Sequence, residues 1–140
     1  TSEKGKWFNT RFNINFLFNA LLGKEFYWGE SSTFGLNIRA SLQGGDRYSA
    51  VNINTSLDTK EVVYDEATPF SESTDPYLVS HLTLSYKWNT VNTNQQLSLK
   101  VINASMYEEF YGFRYNYKDS SVDEFREALI IANLSYKISF

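Results

Sequence analysis

The sequence predicts an all-β fold, an antiparallel up-and-down meander of about five long strands, each apolar on one side and polar on the other. Three observations carry this. The final stretch, 128–140, places Ala128, Ile130, Ala132, Leu134, Tyr136, Ile138 and Phe140 at a strict period of two, with Asn133, Ser135, Lys137 and Ser139 between them. That is the spacing of a strand whose alternate side chains face opposite ways. The chain also holds 10 Tyr, 11 Phe and 3 Trp, 17% aromatic, on a mean hydropathy of only −0.39. Aromatics spread through so polar an average suit alternating strands. Finally, no stretch approaches the ~20 consecutive apolar residues that a spanning helix needs.

From the N-terminus, Phe8, Thr10, Phe12, Ile14, Phe16 and Phe18 alternate with Asn9, Arg11, Asn13, Asn15 and Leu17, which predicts a first strand over 8–18. Its length is that of a strand crossing a bilayer at a tilt, about 9–11 residues. The connection 19–32 follows. Phe34, Leu36, Ile38, Ala40 and Leu42 then predict a second strand over 33–43, with Asn37, Arg39 and Ser41 on its other side. Gly44-Gly45-Asp46-Arg47-Tyr48 breaks the period and opens a long polar connection to Pro76. A connection of that length is expected to be functional or solvent-exposed. Leu78, Leu82, Leu84, Tyr86 and Trp88 predict a third strand over 77–88, and an Asn-rich turn occupies 89–94. Leu97, Leu99 and Val101 predict a fourth over 95–103. A polar, aromatic loop from 104 to about 125 precedes the terminal strand, and 123–128 can form a short helical turn before it.

The totals exclude several functions. Net charge is −3 and the pI about 5.1, so no nucleic-acid footprint is indicated. Cysteine is absent, which excludes disulfides, thiolate metal sites and a Cys nucleophile. With one histidine, no Gly-rich phosphate loop and no metal-ligand spacing, the chain is not expected to be an enzyme or to hold a cofactor. Residues 1–6 have no apolar signal-peptide core, so either a leader has been removed or the chain is a piece of a longer one.

Two features point to a membrane. Arg11, Arg39, Lys87, Lys100 and Lys137 all fall on the polar side of the predicted strands, as a lipid-facing apolar side requires. With the Phe140 end on the periplasmic side, antiparallel order makes the loops 44–76 and 104–126 external and the turn 89–94 periplasmic. That matches the long outer loops and short inner turns of membrane barrels. The connection 19–32 then falls on the periplasmic side, where it is long. Phe16, Phe18, Tyr86, Trp88, Tyr136 and Phe140 gather at the predicted periplasmic ends, as an interfacial girdle does.

Candidate site residues follow from this layout. Tyr107, Phe110, Tyr111, Phe113, Tyr115 and Tyr117 in the second external loop are candidate contacts for a stacking ligand. Gly44, Gly45, Arg47 and Tyr48 form a loop motif expected to fix the start of the first external loop. His81 lies on the polar side, and Asp58, Glu61, Asp65 and Glu66 are acids of the first loop, for which solvation is the plainer role.

The ending Tyr136, Ile138, Phe140 resembles the C-terminal signature that the barrel-assembly machinery reads in bacterial outer-membrane barrels. Together, Lys24-Glu25-Phe26, Gly44-Gly45-Asp46-Arg47-Tyr48, the 77–88 strand, Leu97-Ser98-Leu99-Lys100-Val101-Ile102-Asn103 and the aromatic ending resemble the C-terminal end of TonB-dependent receptors of the Bacteroidota type. Ser49-Ala50-Val51-Asn52 departs from the Thr-Pro-type continuation of that pattern. The resemblance implies a segment of a 22-stranded barrel, with an N-terminal plug and a TonB-contacting part outside this sequence. It implies uptake of an iron chelate, cobalamin or glycan across the outer membrane. It also implies as partners lipid, the rest of the barrel and its plug, the assembly machinery, the TonB complex and a substrate-binding surface lipoprotein. Two other readings stand beside it, a small outer-membrane barrel of structural or adhesin type and a soluble lipocalin-like binding barrel.

Overall fold

The computed structural model describes residues 2–3 and 5–140, with backbone alone at 2, 3 and 6. Its elements in chain order are β1 (Ser2–Glu3), β2 (Lys6–Trp7), β3 (Leu17–Trp28), β4 (Ser32–Gln43), β5 (Arg47–Tyr48), α1 (Ile53–Thr59), β6 (Glu72–Ser73), β7 (Tyr77–Asn89), β8 (Asn94–Ile102), β9 (Glu109–Asn116), β10 (Ser121–Glu127) and β11 (Ile131–Ser139). The chain divides into two units. One comprises 1–17, 43–77 and 108–127; the other comprises 18–42, 78–107 and 128–140.

The second unit is a five-stranded antiparallel sheet in the order β11-β8-β7-β4-β3, a meander in which each long strand lies beside the next long one along the chain. Four of its five strands fall where alternation predicts them. The first does not. Residues 8–16 are irregular, with a turn at Arg11 and Phe12, and the strand is Leu17–Trp28, which takes in only the last two residues of the predicted strand and most of the predicted connection. The cause is local. Asn13 donates to the Asn9 Oδ1 (2.9 Å) and its Oδ1 accepts the Asn15 N–H (3.3 Å), while the Ile14 N–H bonds back to the Phe12 carbonyl (3.1 Å). Asn side chains offer the backbone these alternatives to a ladder, and Asn15 takes a left-handed φ of +63°.

Moving the strand shortens the connection to 29–31, turned by Gly29 at φ +68°. Both short turns, 29–31 and 90–93, now lie at one end of the sheet, and the long connections leave from the other. Phe26 and Trp28, not Phe16 and Phe18, are therefore the aromatics of β3 at the short-turn end.

The faces separate along most of the sheet. Leu84, Leu99 and Leu134 share one rung, and Tyr86, Leu97 and Tyr136 another. On the opposite face Ser85, Ser98 and Ser135 align, as do Lys87, Gln96 and Lys137. The Ser41 hydroxyl donates to Asn19 (2.6 Å), which ties odd-numbered residues of β3 and β4 to the polar face. Arg39, Lys87, Lys100 and Lys137 all keep to that face. Lys24, by alternation, lies on the side of Phe26 and Trp28, so the separation of charge has one exception.

No layer of described residues covers the apolar face. Phe18, Leu22 and Leu134 are each about two-thirds exposed, at 65%, 69% and 69%. The one buried hydrophobic side chain among the described residues, Phe110, belongs to the other unit.

The first unit replaces what the sequence presents as two loops. The connection 44–76 contains α1, capped by the Asn52 side chain on the Thr55 N–H (3.2 Å) and ended by Lys60 at φ +60°. Fully buried Ser56 ties this helix down, donating to the Asn52 carbonyl (2.7 Å) and accepting the Val63 N–H (2.9 Å). Residues 123–127 of the expected helical turn 123–128 belong instead to β10, hairpinned with β9 and bulged between Phe125 and Arg126.

Candidate ligand-binding aromatic cluster

The loop motif acts as a backbone clasp. Gly44 and Gly45 are both buried, and a Cβ on either would collide with a main-chain carbonyl, that of Ile14 at Gly44 and that of Thr74 at Gly45. Only a residue without a side chain permits this approach. Arg47 then reaches three acceptors, the Asn13 carbonyl (3.4 Å), the Ser71 carbonyl (3.4 Å) and the Asn15 Oδ1 (3.3 Å). Its guanidinium fork thus joins the 8–16 segment to the end of the first loop. Next to it, the Tyr77 hydroxyl donates to both oxygens of Asp46 (3.3 Å each). Burial pushes the Asp46 carboxyl above its usual range; the Tyr77 hydrogen bond opposes this, Glu109 adds to it and Arg11 opposes it.

Tyr48 leaves this clasp toward the β9–β10 hairpin. Its ring meets Phe110 at 5.2 Å and Phe113 at 5.4 Å, Phe110 meets Phe113 edge-on at 5.4 Å, and Tyr64 meets Phe113 at 6.5 Å. The Arg126 guanidinium stacks over Phe110 at 5.4 Å from its centroid. Each aromatic pair contributes about 0.5–1.5 kcal/mol beyond its buried area. This cluster is the unit's core. Burial, ahead of the nearby Glu72 and Glu124, raises the Tyr48 hydroxyl above its ordinary value.

Of the aromatics singled out in the second loop, the structure gathers Phe110 and Phe113 but disperses the rest. Tyr111 is half exposed and lies against Phe125 (5.8 Å), with its hydroxyl on Glu109 (3.2 Å). Tyr115 packs on Tyr117 at 5.0 Å. Tyr107 belongs to the sheet unit, where its N–H and carbonyl are both held by the Asn103 side chain (3.0 and 2.8 Å). Tyr48, in turn, does more than start the loop: it is the hub of the cluster.

Beside the cluster lies a cavity of about 310 Å³ lined by Arg11, Arg47, Tyr48, Tyr64, Phe70 and Tyr111, among others. Aromatic rings and two arginines in its lining suit a partly apolar ligand carrying polar substituents. Tyr64, Phe70 and Arg11 escape the sequence reading because they come from two other segments, and no local spacing brings them together. The acids of the first loop do not converge. Asp65 caps its own turn through the Ala67 N–H (2.9 Å) and the Thr68 hydroxyl (3.4 Å), and no group of three or more His, Cys, Asp or Glu among the described residues is placed to hold a metal.

The terminal motif sits on the sheet's apolar side. Tyr136 lies opposite Leu97 and near Trp88 (6.1 Å), with its hydroxyl donating to Gln95 (2.6 Å); Ile138 lies opposite Gln95, and Phe140 follows the strand fully exposed. No family model matches the chain, and no curated protein or solved structure matches it either.

Proposed function

We propose that this chain is the C-terminal portion of an outer-membrane β-barrel of the TonB-dependent receptor class, in which the sheet crosses the bilayer and the segments 43–77 and 108–127 take part in recognising the imported nutrient. One observation carries the reading: an antiparallel meander with one largely apolar face that no described residue covers. Water is a poor environment for such a face, whereas lipid leaves it at no cost. The aromatic rungs at the short-turn end support it, since Phe26 meets Phe34 (6.2 Å) and Trp88 meets both Tyr86 (5.4 Å) and Tyr136 (6.1 Å) at the level where an interfacial girdle belongs. The shortened connection 29–31 removes the one feature of the predicted topology that fitted poorly.

β3 and β11 are the two edges of the sheet and are not paired to each other. Open edges in hydrocarbon leave backbone groups unsatisfied at several kcal/mol each, so further strands must complete the barrel. This weighs against a soluble lipocalin-like barrel made by this chain alone. The test is fractionation of the parent protein. Recovery with outer membranes, with migration on a gel that shifts on boiling, is the expected result; a parent found wholly soluble ends the reading. An upstream reading frame too short for a plug and the remaining strands would redirect it to a small barrel of structural or adhesin type.

A further inference from the structure

The polar face of the five-stranded sheet carries a groove of about 470 Å³ whose walls include Arg39, His81, Lys100, Asn37, Thr83 and Gly23. Its composition is one-sided. Two cationic side chains, Arg39 and Lys100, line it together with His81 and four aliphatic residues, and no carboxylate does. The sheet's recorded ion pair, Lys87 with Glu25 at 3.2 Å, lies outside it. The side chain of neither Arg39 nor Lys100 has a hydrogen-bond or ion-pair partner among the described residues. The in-register neighbours of Lys100 are Thr83 on one side and Asn133 on the other, both uncharged.

His81 is held with a defined polarity. Its Nδ1 accepts the Asn103 N–H at 3.3 Å, so the neutral ring carries its proton on Nε2 and that nitrogen is a donor. Asn37 and Thr83 add neutral donors. At Gly23 a Cβ would meet the Asn37 Oδ1 at 2.5 Å, so the glycine makes room for that amide in the groove wall. Solitary basic groups on a polar face are ordinary solvation. Two lining one concavity with no counter-charge repel one another, and an anion placed between them relieves that repulsion.

We propose that this groove binds a small, multiply charged oxyanion, such as a phosphate ester or a polycarboxylate, between Arg39 and Lys100 with His81 donating from Nε2. A planar guanidinium suits a bidentate oxyanion, and an ammonium adds charge without geometric demand. Size argues for a free solute over a single carboxylate side chain from elsewhere in the protein. The groove holds the volume of roughly fifteen waters at ~30 Å³ each, and one carboxylate displaces only a few. The inference does not rest on the transport reading, because the groove belongs to the sheet in a membrane or out of one.

The test uses the intact protein as its gene encodes it, in detergent or, if it is soluble, in buffer, with inorganic pyrophosphate as the probe and ³¹P NMR line width as the readout. Saturable broadening is expected at low salt, competed by citrate and weakened as salt is raised. Arg39→Gln and Lys100→Gln should each weaken it by about tenfold. Lys137→Gln, on the same face but outside the groove, should leave it unchanged, and circular dichroism confirms that all three variants fold. Absence of broadening in the unsubstituted protein, or equal loss in the Lys137 variant, overturns the proposal. So does a protein that ignores pyrophosphate yet melts lower as Lys100→Gln, since the groove is then filled by a carboxylate of its own.

Discussion

At Gly45 the closeness of two backbones decides what the chain tolerates. A methyl group there would be driven into the Thr74 carbonyl, which cannot rotate away as a side-chain tip can. Gly45→Ala should therefore destabilise the 43–77 segment by about 1–3 kcal/mol, the usual range for forced overpacking, and limited proteolysis within 43–77 checks it. Phe110→Ala removes the one apolar ring buried among the described residues and should cost about 3–5 kcal/mol, measured by denaturant unfolding followed through the aromatic signal. Two carboxyls should titrate on opposite sides of 3.8, Asp46 above it through burial and Asp123 below it through hydrogen bonds from Asn116 (2.8 Å) and Ser121 (2.8 Å). The signs of their stability effects differ accordingly. Asp46 binds its proton more tightly folded than unfolded, so its contribution is full below 3.8 and is lost as pH rises through its folded pKa. Asp123 contributes fully above 3.8 and loses that as pH falls through its lowered pKa. Carboxyl-carbon NMR titration settles the order, and a reversed one removes the cited causes.

Strands are where sequence and structure agree best, and the exceptions have reasons. β4, β7, β8 and β11 alternate over most of their length, with Ser80 and Gln95 among the few breaks, and each lies within a few residues of its predicted span. β3 escaped because its apolar side is broken by Lys24 and its polar side holds Leu21 and Tyr27, while 8–18 alternates better yet is spent on Asn-directed turns. The β9–β10 hairpin was hidden by aromatics on both of its faces, which erases the period. α1 has too few residues for a helical period to show, though Asn52 and Ser56 carry its cap and anchor. As for the aromatic cluster, Phe110 and Phe113 were visible as loop aromatics, but their meeting with Tyr48 and Tyr64 is a long-range event that no local pattern encodes. Alternation makes its own prediction on the sheet. Leu99→Lys, on the rung between Leu84 and Leu134, should cost about 2–4 kcal/mol in a bilayer. Ser98→Lys, one residue away on the polar face, should cost far less. Equal costs in vesicle refolding would mean that the face does not meet lipid.

For the molecule as a whole, the balance of surface decides its solvent. A chain that exposes 10363 Å², with its long-strand sheet apolar on one side and open at both edges, has every physical reason to associate in water. Diluting the purified chain below the critical micelle concentration should produce light scattering that restored detergent prevents; a clear, monodisperse solution would contradict the uncovered face. The division into units has a temporal meaning as well. Along the chain, membership alternates between the two, each drawing on three separated segments. The first unit lacks its hairpin until residue 127 has been made, and the sheet lacks its last strand until residue 139. Neither can finish early and shelter its apolar surface while the rest is still emerging, and contacts so distant in sequence form slowly. Alternation of segments thus acts as a timetable that keeps both units incomplete until residue 127, and the sheet until residue 139, so whatever guards them from aggregation must accompany the chain through those points.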